Sequence, residues 1–163
     1  MKNSIIGLFS GTVLMCSMVA CETKEESKYP GYDKVEEGLY IKYHTKNESG
    51  KSAAVGDVLT MSLSYRTEND SLLFDSRMNG QDFQIPADSG QYEGDLMAAF
   101  LQLNEGDSAT IIMGAENFFT KTAGMERPAF IDSSENLIFE VGVKKIQSME
   151  QLRRQQDSIN SQR

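Results

Sequence analysis

The stretch SLLFDSR at residues 71–77 holds the pair of side chains whose types and spacing most directly suggest chemistry. Phe74 is followed by Asp75, after two leucines and before a serine and an arginine. One interpretation is structural: a buried Phe ends a strand, and a turn-forming Asp-Ser pair follows it. The other is that both side chains line a cleft, where an aromatic ring and a carboxylate would contact the same ligand.

The residue sets that most enzymes use for acid–base, nucleophilic or metal chemistry do not occur in the sequence. His44 is the only histidine, and it alternates with apolar residues, which predicts an outward-facing strand residue rather than a general base. The sequence contains no nucleophile elbow and no phosphate-binding loop. The stretch DSGQYEGD at residues 88–95 lacks the spacing of a calcium loop. The remaining possibilities are an apolar cleft or simple binding, and neither implies a metal or a cofactor.

The first residues of the chain indicate export. Residues 1–20 begin with Lys2 and continue as an uncharged, largely apolar run, too short and interrupted for a typical membrane span. The run predicts a secretory signal peptide, and it ends in MVAC, which resembles the bacterial lipobox. Cys21 is therefore the candidate lipidation site, and an ordinary signal peptide with an incidental cysteine is the alternative. The acidic residues 22–26 resemble a signal that sends some lipoproteins to the cell surface, so we expect an outer-membrane lipoprotein facing the periplasm or the exterior.

Cysteine content and charge exclude several classes of function. The chain has two cysteines, Cys16 and Cys21, and signal cleavage plus lipidation would leave none for a disulfide, a zinc site or a catalytic thiol. The formal net charge is −8, without a basic patch, which argues against nucleic-acid binding. The same acidity argues against attraction to anionic lipid, so the expected membrane link is the lipid on Cys21 alone.

The rest of the chain is long enough for one domain of ordinary size. The polar residues 21–36 predict a flexible tether that starts at the lipidated cysteine. Residues 37–147 form the predicted domain, and residues 148–163 form a polar tail. The tail is interpreted as a solvated or frayed helix, with a helix that pairs with a partner as the alternative, so the oligomeric state stays open.

Apolar alternation within the domain predicts mostly strands. The segments with this pattern are GLYIKYHTK at 38–46, GDVLTMSLSY at 56–65, SATIIMG at 108–114 and NLIFEVGVKKI at 136–146. One segment breaks the rhythm, because Leu96, Phe100 and Leu103 fall at the spacing of a short amphipathic helix that ends at Gly106. About five strands and one helix predict an α+β domain with the helix packed on one face of an antiparallel sheet.

Several of these segments together resemble the FKBP-type peptidyl-prolyl cis-trans isomerases. The resemblance covers about residues 38–147 and rests on VGDVLTMSLSY, LLFDSR, DFQI, GDLMAAFLQLNEGDSATI and ENLIFEVGVKKI in this order. It implies an antiparallel half-barrel sheet wrapped around one short helix, with an apolar pocket for a proline ring. The positions that match the pocket wall are Tyr65, Phe74, Asp75, Phe83, Ile131 and Phe139. By this resemblance Phe74 would contact the prolyl ring, and Asp75 would lie at the rim near a substrate carbonyl or a tyrosine hydroxyl.

The sequence departs from the family pattern at four places. The tryptophan of the pocket floor falls on Leu96, and the valine-isoleucine pair before the helix falls on Tyr92 and Glu93, of which the second acts through its backbone N–H. The tyrosine of a later loop falls on Phe119, which lacks the hydroxyl, and the flap loop at 120–136 lacks the paired prolines.

Two functions follow from the pocket and from these departures. The first is isomerisation of X–Pro bonds in exported or envelope proteins, in which an apolar pocket stabilises the twisted amide without a cofactor. The alternative is a catalytically weak or inactive module that binds an extended segment of a partner. A generic solute-binding lipoprotein ranks below both, because no polar cluster converges on the cleft.

Overall fold

The computed structural model describes residues 27–162, so the predicted signal peptide, Cys21 and the first residues of the predicted tether lie outside the described part. The strands are β1 (Asp33–Glu36), β2 (Leu39–Thr45), β3 (Asp57–Thr67), β4 (Leu72–Asp75), β5 (Phe83–Pro86), β6 (Ser108–Gly114) and β7 (Asn136–Ser148). The helices are α1 (Leu96–Phe100), α2 (Ala115–Asn117) and α3 (Met149–Asn160), with a 3₁₀ turn at Ser76–Asn79 and a π-helical turn at Phe118–Thr122.

All seven strands belong to one antiparallel sheet. Six of them follow the order β1-β2-β6-β7-β3-β4, and the seventh, β5, pairs with β3. β3 is long enough to hold two short strands along its other edge. Its first half pairs with β5, from Val58 opposite Pro86 to Met61 opposite Phe83, and its second half pairs with β4. This arrangement confirms the predicted α+β class, with more strands than the alternation had predicted.

The core lies between one face of this sheet and α1. Successive residues of a strand point to opposite faces, so Leu59, Met61 and Leu63 of β3 are buried while Thr60 and Ser62 are partly exposed. The helix α1 buries Leu96, Ala99 and Phe100 against them. The helix ends at Phe100, earlier than the spacing predicted, and Leu103 is buried beyond its end. The side chain of Asp95 caps α1 by accepting a hydrogen bond from the Met97 N–H, which explains where the helix begins.

The segment just before the predicted domain corrects the predicted boundary of the tether. Residues 33–36 form β1, which pairs with β2 instead of remaining flexible, and Val35 packs against the core. Upstream of it, the Tyr29 ring lies 5.0 Å from that of Tyr40, and the Asn136 amide donates to the Tyr29 hydroxyl at 2.8 Å. The tether prediction is therefore wrong for residues 27–36. The strand β1 is polar and too short to show a periodic pattern in the sequence. It forms because it pairs with the backbone groups at the edge of β2.

The tail forms the helix α3, which confirms the predicted polar C-terminal helix. It begins at a capping box, in which Ser148 and Gln151 each accept from the other's backbone N–H. None of its residues is buried, as expected for a solvated helix. Within residues 27–162, no helix is long and apolar enough to cross a membrane.

The turn between α1 and β6 depends on a buried carboxylate. Asp107 is 1% exposed, and its oxygens accept the backbone N–H of Asn47 at 2.6 Å and that of Asn104 at 2.8 Å. The ammonium of Lys46 lies 3.3 Å away and balances the charge. Asp107 thereby ties the loop after β2 to the loop before β6.

We expect Asp107→Ala to lower the free energy of unfolding by about 2–4 kcal/mol, because two backbone N–H groups would lose their acceptor. The measurement is urea unfolding followed by circular dichroism. The matched control is Glu150→Ala, since Glu150 forms an exposed ion pair with Arg154 on α3 and its loss should cost less than about 0.5 kcal/mol. Equal losses in the two variants would contradict a structural role for Asp107.

Candidate active site

An apolar cavity of about 240 Å³ opens between α1 and the end of the sheet where β3, β4 and β7 meet. The residues that line it are Leu63, Tyr65, Phe74, Phe83, Ile85, Leu96, Met97, Phe100, Phe118, Thr122, Ala123 and Phe139. Only Tyr65 and Thr122 bring polar side-chain atoms. A cavity of this composition suits an apolar group such as an aliphatic ring.

Strand register builds the aromatic wall of the cavity. Tyr65 of β3 lies directly opposite Phe74 of β4 and opposite Phe139 of β7. Directly opposed residues share one face of a sheet, so the three rings must stand together. The Tyr65 ring stacks on that of Phe74 at 5.6 Å and lies 5.1 Å from that of Phe139. Phe83 of β5 extends the wall, with its ring 6.1 Å from that of Phe74.

The helix α1 supplies one wall of the cavity. Leu96 is 4% exposed and Phe100 is 1% exposed, and both line the cavity together with the half-buried Met97. The structure thus places Leu96 in the cavity wall, as the resemblance implied for its position. Leucine leaves more room than the tryptophan that the family has there.

A hydrogen-bond network fixes the edge of the cavity next to α1. The Tyr92 hydroxyl lies 2.5 Å from that of Thr122, and the Thr122 hydroxyl lies 3.5 Å from a carboxylate oxygen of Asp95. The other oxygen of Asp95 accepts the Gln91 N–H at 3.0 Å. Burial raises the pKa of the Tyr92 phenol, so it remains protonated at neutral pH. The network joins the loop before α1 to the π-helical turn.

Asp75 does not reach the cavity. It lies opposite Ser64, one position along from the Tyr65–Phe74 pair, so its side chain belongs to the other face of the sheet. There it caps the 3₁₀ turn, and Arg77 binds it with Nε 2.9 Å from one oxygen and an NH₂ nitrogen 2.8 Å from the other. No tyrosine hydroxyl bonds to Asp75 within residues 27–162, so its predicted position at a tyrosine hydroxyl is wrong.

Three further predicted residues lie outside the cavity lining. Phe119 is 4% exposed and Ile131 is fully buried, so both belong to the core behind the site. Glu93 is exposed in the loop before α1. Its backbone N–H has no acceptor among the described residues, so it remains free to bind a ligand carbonyl.

The sequence prediction named Phe119 as a site residue and missed its neighbour Phe118, which lines the cavity. The Phe118 ring lies 5.0 Å from those of Tyr65 and Phe139, while the Phe119 ring contacts it from behind at 5.2 Å. The π-helical turn explains the shift, because its Ala123 N–H donates to the Phe118 carbonyl five residues earlier and turns Phe118 inward. The signal in the sequence was an adjacent Phe pair, which periodicity does not resolve.

A second cavity, of about 280 Å³, lies on the opposite face of the sheet. Its lining includes Ser62, Ser64 and Ser108, together with the charged side chains of Arg77 and Glu140. His44 also lines it and is exposed as predicted, with Nε2 2.6 Å from the Thr110 hydroxyl. No group of three or more potential metal ligands occurs within residues 27–162.

Comparison with protein families identifies the family of the chain. Residues 49–144, more than half of the chain, match the family described as FKBP-type peptidyl-prolyl cis-trans isomerase. The chain belongs to this family. No curated protein matches it.

Solved structures with the same fold include three at a TM-score of 0.58. FkpA from Escherichia coli is 14% identical, over 74% of this chain and 54% of FkpA, so the chain spans about half the length of that protein. The N-terminal domain of FKBP42 from Arabidopsis thaliana is 12% identical, over 76% of this chain and 97% of that domain. A peptidyl-prolyl cis-trans isomerase from Pseudomonas syringae pv. tomato is 15% identical, over 74% and 84%. At these identities the likeness shows the fold.

The ion pair with Arg77 predicts a measurable titration of Asp75. Hydrogen bonds from the Arg77 side chain and backbone N–H hold the pKa of the Asp75 carboxyl below its ordinary value. In Arg77→Ala we expect this pKa to rise, because the side-chain bonds are lost, as measured by carboxyl-carbon NMR titration. A lowered native pKa stabilises the fold above the unfolded pKa, and this contribution is lost as pH falls through the native value. The stabilities of wild type and variant should therefore converge in acid, and an unshifted Asp75 would contradict the pairing.

Proposed function

We propose that the chain is a peptidyl-prolyl cis-trans isomerase that acts on X–Pro bonds of exported or envelope proteins. The observation that carries this proposal is the register of Tyr65 with Phe74 and Phe139, which forms an aromatic wall at an otherwise apolar cavity. Membership of the FKBP family supports the same activity.

The mechanism follows from the amide itself. An X–Pro bond isomerises over tens to hundreds of seconds, because rotation breaks the resonance between carbonyl and nitrogen. The twisted amide is less polar than the planar one. Water therefore solvates the planar form better, whereas an apolar wall without strong donors gives the planar form little advantage. The free-energy difference between the two forms is smaller in the cavity than in water. A cavity that binds the twisted form better than either planar isomer lowers the barrier. This reaction needs no proton transfer and no cofactor.

Binding of the client backbone uses the loop before α1. The free N–H of Glu93 can donate a hydrogen bond to a client carbonyl, which would orient the client chain across the cavity. The network from Tyr92 through Thr122 to Asp95 fixes this loop against the π-helical turn. The loop is therefore held in place before the client binds.

The alternative is a weak or inactive FKBP-like module that binds extended client segments. Two exposed apolar side chains favour it, because Met125 and Phe130 lie in the loop between the cavity residue Ala123 and β7 and are 57% and 71% exposed. Leucine at position 96 and the missing hydroxyl at Phe119 point the same way. An isomerase assay distinguishes the two functions.

Location in the cell envelope forms the second part of the proposal. Lipidation of Cys21 would anchor the chain, and the strand β1 leaves a tether shorter than its composition indicated. The domain would then be held close to the membrane surface. Proline-containing polypeptides are the proposed partners, without nucleic acid.

The first test is Phe74→Ala in the soluble protein that starts after Cys21. We expect kcat/KM for X–Pro isomerisation to fall at least about tenfold, because the prolyl ring loses an aromatic wall worth about 1.5–3 kcal/mol. The measurement is a protease-coupled or fluorescence assay, with circular dichroism to verify folding. Full activity in a folded Phe74→Ala variant would exclude this cavity as the site.

Two controls accompany this variant. Leu72→Ala removes an exposed apolar side chain from the same strand and should leave the rate unchanged. Asp75→Ala should reduce activity much less than Phe74→Ala, since its carboxylate bonds to Arg77 on the other face. If Asp75→Ala lost as much activity as Phe74→Ala, Asp75 would have to be counted as a residue of the site.

Lipidation is tested by Cys21→Ser in the full chain, expressed in a bacterium that is fed labelled fatty acid. We expect label and membrane association in the wild type and neither in the variant, since the thiol is the point of attachment. Label that persists in Cys21→Ser would contradict the assignment, whether or not the isomerase activity is present.

A further inference from the structure

The cavity offers a bound polypeptide very few hydrogen-bonding groups. Among its lining residues, only Tyr65 and Thr122 have polar side-chain atoms. The Thr122 hydroxyl is already engaged by the Tyr92 hydroxyl and by Asp95. The Tyr65 hydroxyl forms no hydrogen bond with any residue in the described part of the chain. Tyr65 therefore carries the one unused hydrogen-bonding side chain among the lining residues.

The fold keeps this hydroxyl free. Its natural acceptor from the neighbouring strand would be Asp75, but that carboxylate lies on the other face and bonds to Arg77. The rings that contact Tyr65 belong to phenylalanines, which cannot accept a conventional hydrogen bond. Burial raises the pKa of the Tyr65 phenol, so at neutral pH it is an O–H donor.

We infer that the Tyr65 hydroxyl donates a hydrogen bond to the carbonyl oxygen of the proline whose ring occupies the cavity. This inference rests on the proposed function. Tyr65 then has two roles: its ring forms part of the cavity wall, and its hydroxyl forms a hydrogen bond with the client backbone. Phe119 has no hydroxyl and lies behind the wall. Among the described lining residues, the Tyr65 side chain therefore supplies the one hydroxyl that is free to bind the client.

The chemistry of rotation decides which carbonyl is bound. In the planar X–Pro amide, resonance places negative charge on the oxygen of the residue before proline, and twisting removes that charge. A donor on this oxygen would stabilise the planar forms and slow the rotation. The carbonyl of the proline itself belongs to the next amide and keeps its charge throughout. A donor there holds both isomers and the twisted form equally, so its loss raises KM and leaves kcat almost unchanged.

The experiment compares two short X–Pro peptides that differ by one atom, with oxygen or sulphur at the carbonyl of the proline. Sulphur is the poorer acceptor. Catalysed cis-trans exchange is measured by NMR at several peptide concentrations for the wild type and for Tyr65→Phe, which keeps the ring and its stacking. The matched control is Tyr43→Phe, because the Tyr43 hydroxyl donates to the Gln102 carbonyl at 3.0 Å and does not line the cavity.

We expect KM of the wild type to rise about fivefold from the oxygen to the sulphur peptide, the effect of one neutral hydrogen bond. Tyr65→Phe should show the higher KM with both peptides, and Tyr43→Phe should behave like the wild type. This coupling between side chain and carbonyl is the signature of direct contact. Equal KM values for Tyr65→Phe and the wild type, or a sulphur penalty that persists in Tyr65→Phe, would overturn the inference.

Failure of the proposed function gives a different result. If the wild type does not accelerate exchange, the isomerase proposal is wrong, and the dissociation constants of the same peptides are measured by NMR titration. A preference for oxygen that disappears in Tyr65→Phe would still support the hydrogen bond. Equal affinities in both proteins, or no binding by the wild type, would overturn it.

Discussion

One row of paired residues across five strands determines the rest of the structure. Phe74 of β4 lies opposite Tyr65 of β3, Tyr65 opposite Phe139 of β7, Phe139 opposite Ile111 of β6, and Ile111 opposite Ile41 of β2. Directly opposed residues face the same way, so this single row supplies the cavity wall at one end and the core at the other. A shift of one residue in the pairing of β3 would move Tyr65 and the other apolar side chains of β3 to the opposite face, and the aromatic wall would lose its central ring.

The next row of paired residues, one position along each strand, lies on the other face of the sheet. Asp75, Ser64, Glu140 and Thr110 lie opposite one another across the same strands and point away from the core. Their charges find partners there, with Arg77 on Asp75 and Arg66 on Glu140. The sheet thereby separates an apolar site from a charged surface, although the residues of the two faces alternate along each strand. This separation leaves the cavity with hardly any polar groups, which suits a reaction that moves through a less polar, twisted amide.

The parts of the structure that hold the site in place are polar and local. Asp95 caps α1 and, through Thr122 and Tyr92, joins the loop before that helix to the π-helical turn. Asp107 performs the same task at the other end of α1, where it binds the backbone of two loops. These buried carboxylates accept backbone N–H groups that would otherwise lack a partner, so the short helix keeps one position against the sheet. These contacts consequently hold the side of the cavity that α1 supplies in one position.

The family resemblance assigned Tyr65, Phe74, Phe83 and Phe139 to the wall. The sequence pattern itself predicted β2, β3, β6, β7 and the helix α1, because alternation and helical spacing are local signals of which side chains are buried. It did not determine β1, whose four residues form a strand only because β2 offers a free edge. The resemblance assigned Asp75 to the cavity, although the alternation that placed Phe74 inside required its neighbour to face out. The choice between Phe118 and Phe119 was made by a π-helical turn, and such turns leave no periodic trace in a sequence. Local patterns fix which residues are apolar and where they recur, whereas strand partners and turn geometry decide which of them meet.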